Sequence, residues 1–543
     1  MKRTNAHPTR SSRYHRFALA LALSVAASVD IAHDASAQAL GTCTTDAERL
    51  SGPALLRALS LDLRGVIPTA DEYGLLTPEG DVPDTVLDAW LASEAFVARA
   101  VRRHDALLWP NVGDIRLMSN RQRLSYDEEI GAYYRYLVAP NYRGGPITCG
   151  DFPASWDAQG ELVTRLSPEG WLQEGWVEVN PYWNPDITVK VCAFEAQEAE
   201  TSPWGTACDT YDSRFDPYCG CGPNLRWCDT FTLGHVQDEG VTAPIHQALA
   251  DDVRRRIADV VRNDASYLDL FTSRTAWVNG PLSHFYRFQT TLPAHIRFNE
   301  LPIDPARVPV LSFEDTETWV PMTLGEEHAG ILTSPLYLMK FQTRRARANR
   351  FYNAFLCQPF QAPDTGIPAA ATTSTSLNLR ERPGCNACHA VLEPAGAHWA
   401  RWGEYGAGYV DPGKFPDHDP ACAACAEDAT SCPEWCSTYY VVDPLSAEED
   451  PWVGMLAALE FLDDAHGVNV AEGPSRLATM TVADGRLPRC AAQRTVEWLL
   501  GRSPTDDEQA WIEDLAQTFV RSNLSYRTLV RAVVTSDAYR SPR

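Results

Sequence analysis

The sequence predicts a mainly α-helical protein, a multi-helical body interrupted by two cysteine-rich loop insertions. Three observations predict it. Apolar residues recur at three- and four-residue spacing along most of the chain, the pattern of helices with one buried face. Between residues 142 and 232, six cysteines occur among six tryptophans and many glycines and prolines, and the helical periodicity stops. A second group of four cysteines follows between 417 and 437. With 543 residues and 45% apolar content, the chain can support two or three domains. The expected divisions are 38–141 (N-terminal helical), 142–232 (insertion), 233–375 (central helical, with a linker) and 376–543 (C-terminal helical, containing the insertion 417–437).

Residues 1–37 predict an export signal. Lys2, Arg3, Arg10, Arg13 and Arg16 make a basic start, Phe17 to Val29 is an apolar run, and Ala35-Ser36-Ala37 has the small-x-small form that signal peptidase cuts. The mature chain is therefore expected to begin near Gln38. The apolar run is short for a bilayer span, and no later stretch approaches twenty apolar residues, which favours an exported protein, periplasmic, secreted or at the cell surface. Leu40-Gly41-Thr42-Cys43 is only a weak lipoprotein pattern, because Thr is a poor residue before the modified cysteine.

Pro53 can open a helix in which Leu55, Leu56, Leu59 and Leu63 share a face, with Gly65 and Pro68 closing it. A second helix from about Pro83 turns Val86, Leu87, Trp90, Leu91 and Val97 inward. In the 142–232 insertion, Cys149, Cys192, Cys208, Cys219, Cys221 and Cys228 are expected to supply covalent staples for a loop-rich module. Metal ligation at Cys219-Gly220-Cys221 is the lesser alternative. Helical spacing resumes from Asp251 through Val253, Ile257, Val260 and Val261 and on to Tyr267, Leu268 and Phe271, and Asn279-Gly280-Pro281 punctuates the chain. Arg344-Arg345-Ala346-Arg347 is expected on the solvated face of a helix. Gln361 to Ser376, rich in Pro, Ala, Thr and Ser, reads as a linker. At the C-terminus, Gly501 ends one helix, Ser503-Pro504 with the acidic run to Glu508 begins another, and Leu524 to Tyr539 makes a third.

The most specific chemistry lies at Cys385-Asn386-Ala387-Cys388-His389. Two thiols one helical turn apart can form thioethers to a haem, and the adjacent histidine can ligate its iron. From the chain's own cysteine and histidine frequencies, chance supplies about 0.01 such matches. The pattern predicts one covalent haem c in a small c-type-cytochrome-like segment, with Cys385 and Cys388 as attachment points and His389 as proximal ligand. A ligating imidazole needs its second nitrogen held, and the Pro394 carbonyl or a neighbouring one is the expected acceptor. Trp399, Trp402 and Tyr405 follow at helix-like spacing, as core or as haem packing. The distal ligand is open among Met339, His328, Met455, His398, His418, His466 and Met480, with Met480 preferred.

Fifteen cysteines less this pair leave thirteen, so at least one has no disulfide partner within the chain. Cys422, Cys425, Cys432 and Cys436 are spaced for either a tetrahedral zinc or two disulfides, and an oxidising compartment favours disulfides. The net charge of −24 is spread along the chain, which argues against nucleic acid and suits a basic partner. No Ser-His-Asp order, phosphate loop or His-Glu-x-x-His pattern appears, His284 and His295 are lone, and Asp463-Asp464 is too common a pairing to indicate a glycosidase.

Four segments carry a family resemblance: Ala54 to Thr69, His328 to Pro335, Arg382 to His389 with Pro394-Ala395-Gly396, and Cys490 to Arg502. They resemble the planctomycete-type cytochrome-related families, exported bacterial proteins of unknown function with a c-type haem motif. The inserts and His398-Trp399-Ala400-Arg401-Trp402 look like a myxobacterial branch. The resemblance implies a Cys357–Cys490 disulfide. Where the wider family has a Glu and later a Phe-Asp pair after the motif, this chain has Ala400, Trp402 and Gly403, so any role of those carboxylates does not carry over. Three functions follow as expectations: a mono-haem electron carrier with an unidentified redox partner, a haem-free secreted binding or scaffold protein whose motif is a disulfide or zinc site, and a haem peroxidase or oxygenase. The helical body exceeds what a minimal carrier of about a hundred residues needs.

Overall fold

Leu55, Leu56, Leu59 and Leu63 form one stripe of a helix, and the core begins there. The computed structural model describes residues 49–110, 117, 119–231, 242–290, 300–360, 378–428, 432–444, 447, 449–457 and 464–541. In it the stripe belongs to α1 (Gly52–Arg64), and all four leucines are buried. Gly65 ends α1 at φ 74°, a left-handed conformation that glycine adopts without a Cβ penalty. The helix expected from Pro83 is two helices, α2 (Asp84–Leu91) and α3 (Glu94–Leu108). The Ser93 hydroxyl accepts from the Phe96 N–H and so caps α3 where a single helix would have continued.

The next long helix, α4 (Thr242–Arg262), packs on α3 and buries Val253, Ile257, Val260 and Val261. Asn279 does more than punctuate, because its side chain accepts from the Leu282 N–H and caps α5 (Gly280–Phe288). The remaining long elements are α6 (Arg344–Phe355), α7 (Asn386–Gly396), α8 (Asp464–Ala483), α9 (Arg486–Leu500), α10 (Gln509–Arg521) and α11 (Tyr526–Val534). The last expected helix stops at Val534 and restarts as a short turn, Asp537–Arg540, capped by Ser536. One apolar cluster runs through the helical body from Leu55 to Tyr539. The two ends of the described chain meet there, where the Leu50 N–H donates to the Arg540 carbonyl at 2.8 Å and the Tyr539 hydroxyl to Asp62 at 2.8 Å.

The fold is mainly α, but the sequence reading missed a five-stranded sheet of β1 (Arg123–Asp127), β2 (Ala132–Tyr134), β3 (Trp176–Val179), β4 (Val189–Cys192) and β5 (Asp229–Phe231), in the order β3-β4-β2-β1-β5. β1 pairs antiparallel with β2 (Ser125 opposite Tyr134) and parallel with β5 (Arg123 opposite Asp229). β4 pairs parallel with β2 and antiparallel with β3. Strands this short carry too few alternations to register as a period of two. A separate pair, β6 (Thr275–Val278) and β7 (Val320–Thr323), lies beside α4.

Covalent and ionic ties hold the sheet region. Disulfides join Cys149 to Cys192, Cys208 to Cys219 and Cys221 to Cys228, which leaves no thiolate for a metal at Cys219-Gly220-Cys221. Arg143, fully buried, donates to Glu174 at 3.0 Å and to Glu195 at 2.7 Å, and a buried guanidinium needs such partners to offset its desolvation. The zinc alternative at Cys422, Cys425, Cys432 and Cys436 is likewise corrected, since Cys422 pairs with Cys436 and Cys425 with Cys432. Cys357 is joined to Cys490, tying the end of α6 to α9. Among the described residues no helix is long and apolar enough to cross a membrane. The expected signal segment 1–37, Cys43, His295, the linker 361–376 and Asp463 lie outside the described residues.

The Cys357–Cys490 bridge closes a segment of 133 residues, the longest loop closed by a disulfide among the described residues. By loop-closure entropy the paired substitution Cys357→Ala/Cys490→Ala is expected to cost about 5 kcal/mol, read as a lower denaturant midpoint with an intact far-ultraviolet spectrum before unfolding.

Candidate functional site

The site begins with a turn that delivers the motif onto a helix. Gly384 sits at φ 79°, and the Arg382 carbonyl accepts from the Cys385 and Asn386 N–H groups at 3.1 and 3.0 Å. The Cys385 carbonyl in turn accepts from the N–H groups of Cys388 (3.2 Å) and His389 (3.0 Å), so α7 is already wound at the motif. Cys385 and Cys388 therefore share one helix face, three residues apart. Both are half-buried and lie outside the disulfides, which take up the other twelve described cysteines.

His389 is fixed from an unexpected side. Its Nδ1 lies 2.5 Å from Glu393 Oε1, one turn further along α7, and the same oxygen accepts from Arg345 Nε of α6 at 2.7 Å. Burial alone would raise the Glu393 pKa, but the hydrogen bonds from Arg345 and His389 outweigh it and hold the carboxyl below its usual range. An ionised carboxylate only accepts, so His389 Nδ1 carries a proton, and in the neutral form of such a ring the lone pair lies on Nε2. That is the tautomer an iron ligand requires. The expected acceptor, the Pro394 carbonyl, is instead taken by Asn469 Nδ2 of α8 at 3.2 Å. Glu393 and Arg345 were missed by sequence reading, although the four-residue spacing from His389 to Glu393 is visible in the sequence.

The arginine cluster on α6 also departs from the solvated face expected of it. Arg347 is completely buried and donates to the carbonyls of Leu338, Phe341, Trp402, Gly403 and Gly406 at 2.7 to 3.0 Å. Burial pulls its pKa down to about 10, which leaves it charged at neutral pH. Glu404, in the same loop, accepts from the Arg344 N–H at the start of α6. The loop that follows α7 is thus sewn to α6, the helix that presents Arg345.

Beyond α7, Trp399 and Trp402 are core residues. Trp399 Nε1 donates to the Leu332 carbonyl at 3.0 Å, and Trp402 packs edge-on against His328. Tyr405 is half-exposed. Of the distal candidates, Met339 is buried in the main core and Met455 packs beside the 417–437 disulfides. His328 and His398 are buried and held by Thr333 and the Gly473 carbonyl. His418 bridges to Met455, and His466 is buried. Met480 is exposed on α8, past the break at Gly473, whereas the bond from α8 to α7 comes from Asn469, before that break. The structure joins Cys385, Cys388 and His389 in one arrangement and places Met480 on another element.

Elsewhere among the described residues, Cys149, Glu174 and Cys192 converge with ligand-like spacing, but their two sulfurs form a disulfide. Comparison with protein-family models, curated proteins and solved structures finds no match for this chain.

Burial holds His398 neutral, lowering its pKa from 6.5 to about 4 even though the Gly473 carbonyl favours the charged form. The unfolded chain takes up this proton below about pH 6.5 and the folded chain does not until about pH 4, so stability falls as pH drops through that window. The full effect is about 3 kcal/mol. His104 and His328 are lowered similarly by burial. Urea midpoints measured from pH 7 to 4 are expected to decline, and His398→Asn to flatten the slope by one proton.

Proposed function

We propose that this protein is an exported mono-haem c-type cytochrome that exchanges single electrons with a partner protein. The observation that carries the reading is the placement of two thiols, Cys385 and Cys388, one turn apart at the start of α7, immediately followed by a histidine whose Nδ1 is held by Glu393. The donor set fits the group. Two thiols can take thioether bonds, one imidazole nitrogen can ligate iron, and the other is held by a carboxylate. When bound, the haem iron supplies a one-electron couple between ferric and ferrous states.

The chain's residues do the rest of the work. Cys385 and Cys388 tether the cofactor independently of its iron ligands. His389 is held by Glu393 and, through it, by α6. Arg347 keeps the following loop against α6. The six disulfides among the described residues suit an oxidising compartment, the one in which c-type haem is attached, and with the basic and apolar start of the chain they support a periplasmic or surface location. The net charge of −24 suits a basic electron donor or acceptor. Met480 is the proposed distal ligand.

Protein matured with a c-type haem assembly system is expected to give a pyridine haemochrome spectrum of one thioether-linked haem. Cys385→Ala should lose one thioether and shift that band, and Cys385→Ala/Cys388→Ala should lose covalent haem altogether. A matured wild-type protein without covalent haem favours the haem-free scaffold. Near-infrared magnetic circular dichroism of Met480→Ala is expected to lose the methionine–iron signature, and an unchanged spectrum rejects Met480.

A further inference from the structure

We propose that Glu393 is the residue that sets the reduction potential of this centre, acting through His389 and attenuated by Arg345. The inference rests on the haem reading and goes beyond it, because the motif itself says nothing about what stands behind the histidine.

The geometry is specific. A backbone carbonyl behind His389 would offer a neutral acceptor, whereas Glu393 offers a full negative charge at 2.5 Å from Nδ1. Hydrogen bonds to charged groups are about twice as strong as neutral ones. The Glu393 side chain is only 10% exposed, so water screens it weakly. Pulling the Nδ1 proton towards the carboxylate enriches electron density at Nε2, and a more anionic ligand favours ferric over ferrous iron. Arg345 opposes this, since its Nε donates to the same Oε1 at 2.7 Å and withdraws charge from it. With a side chain 40% exposed at the edge of α6, Arg345 acts as a counter-charge that sets how much of Glu393 reaches the ligand.

The arrangement follows from two helices. His389 and Glu393 are four residues apart on α7, so their side chains meet on one face whatever else the fold does. Arg345 arrives from α6, which is fixed against the loop after α7 by Arg347. A purely structural role would make Glu393 a tie between α6 and α7, and replacing it would change stability while leaving the potential unmoved.

The test is spectroelectrochemical titration of the haem-loaded full chain. Glu393→Gln keeps an acceptor oxygen and removes the charge, and its midpoint potential is expected to rise by at least a tenfold change in the ferric-to-ferrous equilibrium, about 59 mV for a one-electron couple. Arg345→Gln leaves Glu393 uncompensated, and its potential is expected to fall. Within the Glu393→Gln background, the Arg345→Gln shift should shrink. A Glu393→Gln protein that carries covalent haem, melts lower and keeps the wild-type potential overturns the proposal. If Glu393→Gln does not load haem, Arg345→Gln decides: a lowered potential supports the proposal and an unchanged one overturns it. Absence of covalent haem in matured wild-type protein refutes the cytochrome reading, a separate result.

Discussion

Arg347 carries a positive charge into the interior, and its hydrogen-bond partners among the described residues include no carboxylate. An isolated buried charge is costly, and here five backbone carbonyls from two segments offset that cost. The segments are the end of the short helix Pro335–Lys340 with Phe341, and the loop Trp402 to Gly406. Because those carbonyls would themselves be orphaned without a donor, the two sides require one another. The consequence is geometric. α6 is locked to the loop leaving α7, Glu404 in that loop caps α6, and Arg345 is presented to Glu393. Removing the Arg347 guanidinium would leave several buried carbonyls unsatisfied at once, which is why this residue, remote from the cysteines, governs how the candidate site is built.

The rest of the molecule solves a different problem. The region from 123 to 231 has few long apolar stripes to bury, and its sheet is built of short strands. Three disulfides limit the freedom of the unfolded chain there, and the ionic cluster of Arg143, Glu174 and Glu195 fills the interior that apolar side chains do not. The second insert follows the same logic with two disulfides, and its Cys422 and Cys436 share an apolar cluster with Ala397 and Ala400, which follow α7 in the chain. Both cysteine-rich inserts thus hold shape by cross-links, while the helical body holds by packing.

The sequence disclosed the parts of this structure that depend on local periodicity and missed those that depend on who meets whom. The stripe of α1, its Gly65 terminus and the α9 to α11 region were legible, because each rests on residues three or four apart and on a cap nearby. The break at Ser93 was not, since an uninterrupted apolar spacing hides a capping serine. The sheet escaped for lack of length. At the site, Cys385, Cys388 and His389 were legible as contiguous chemistry. Glu393 was half-legible, one turn from His389 but eclipsed by Pro394 as the expected acceptor. Arg345 and Arg347 were beyond reach, because a run of arginines on a helix looks the same whether it faces water or the carbonyls of a loop 55 to 59 residues away. The Cys357–Cys490 bridge, implied by resemblance alone, spans a separation that no local pattern encodes.

What separates a haem site from a dithiol at the start of α7 is the histidine. Two thiols three residues apart at a helix start would by themselves suit a reversible disulfide. Such a site gains nothing from a carboxylate fixing the tautomer of the next residue. Here the fixed element is His389, held by Glu393, which is itself anchored to another helix. Holding an imidazole by its Nδ1 makes sense for ligation through Nε2, and orientation through a buried carboxylate is how proteins raise the basicity of a metal-bound histidine. The cysteines can be read either way, whereas the support behind His389 favours a metal.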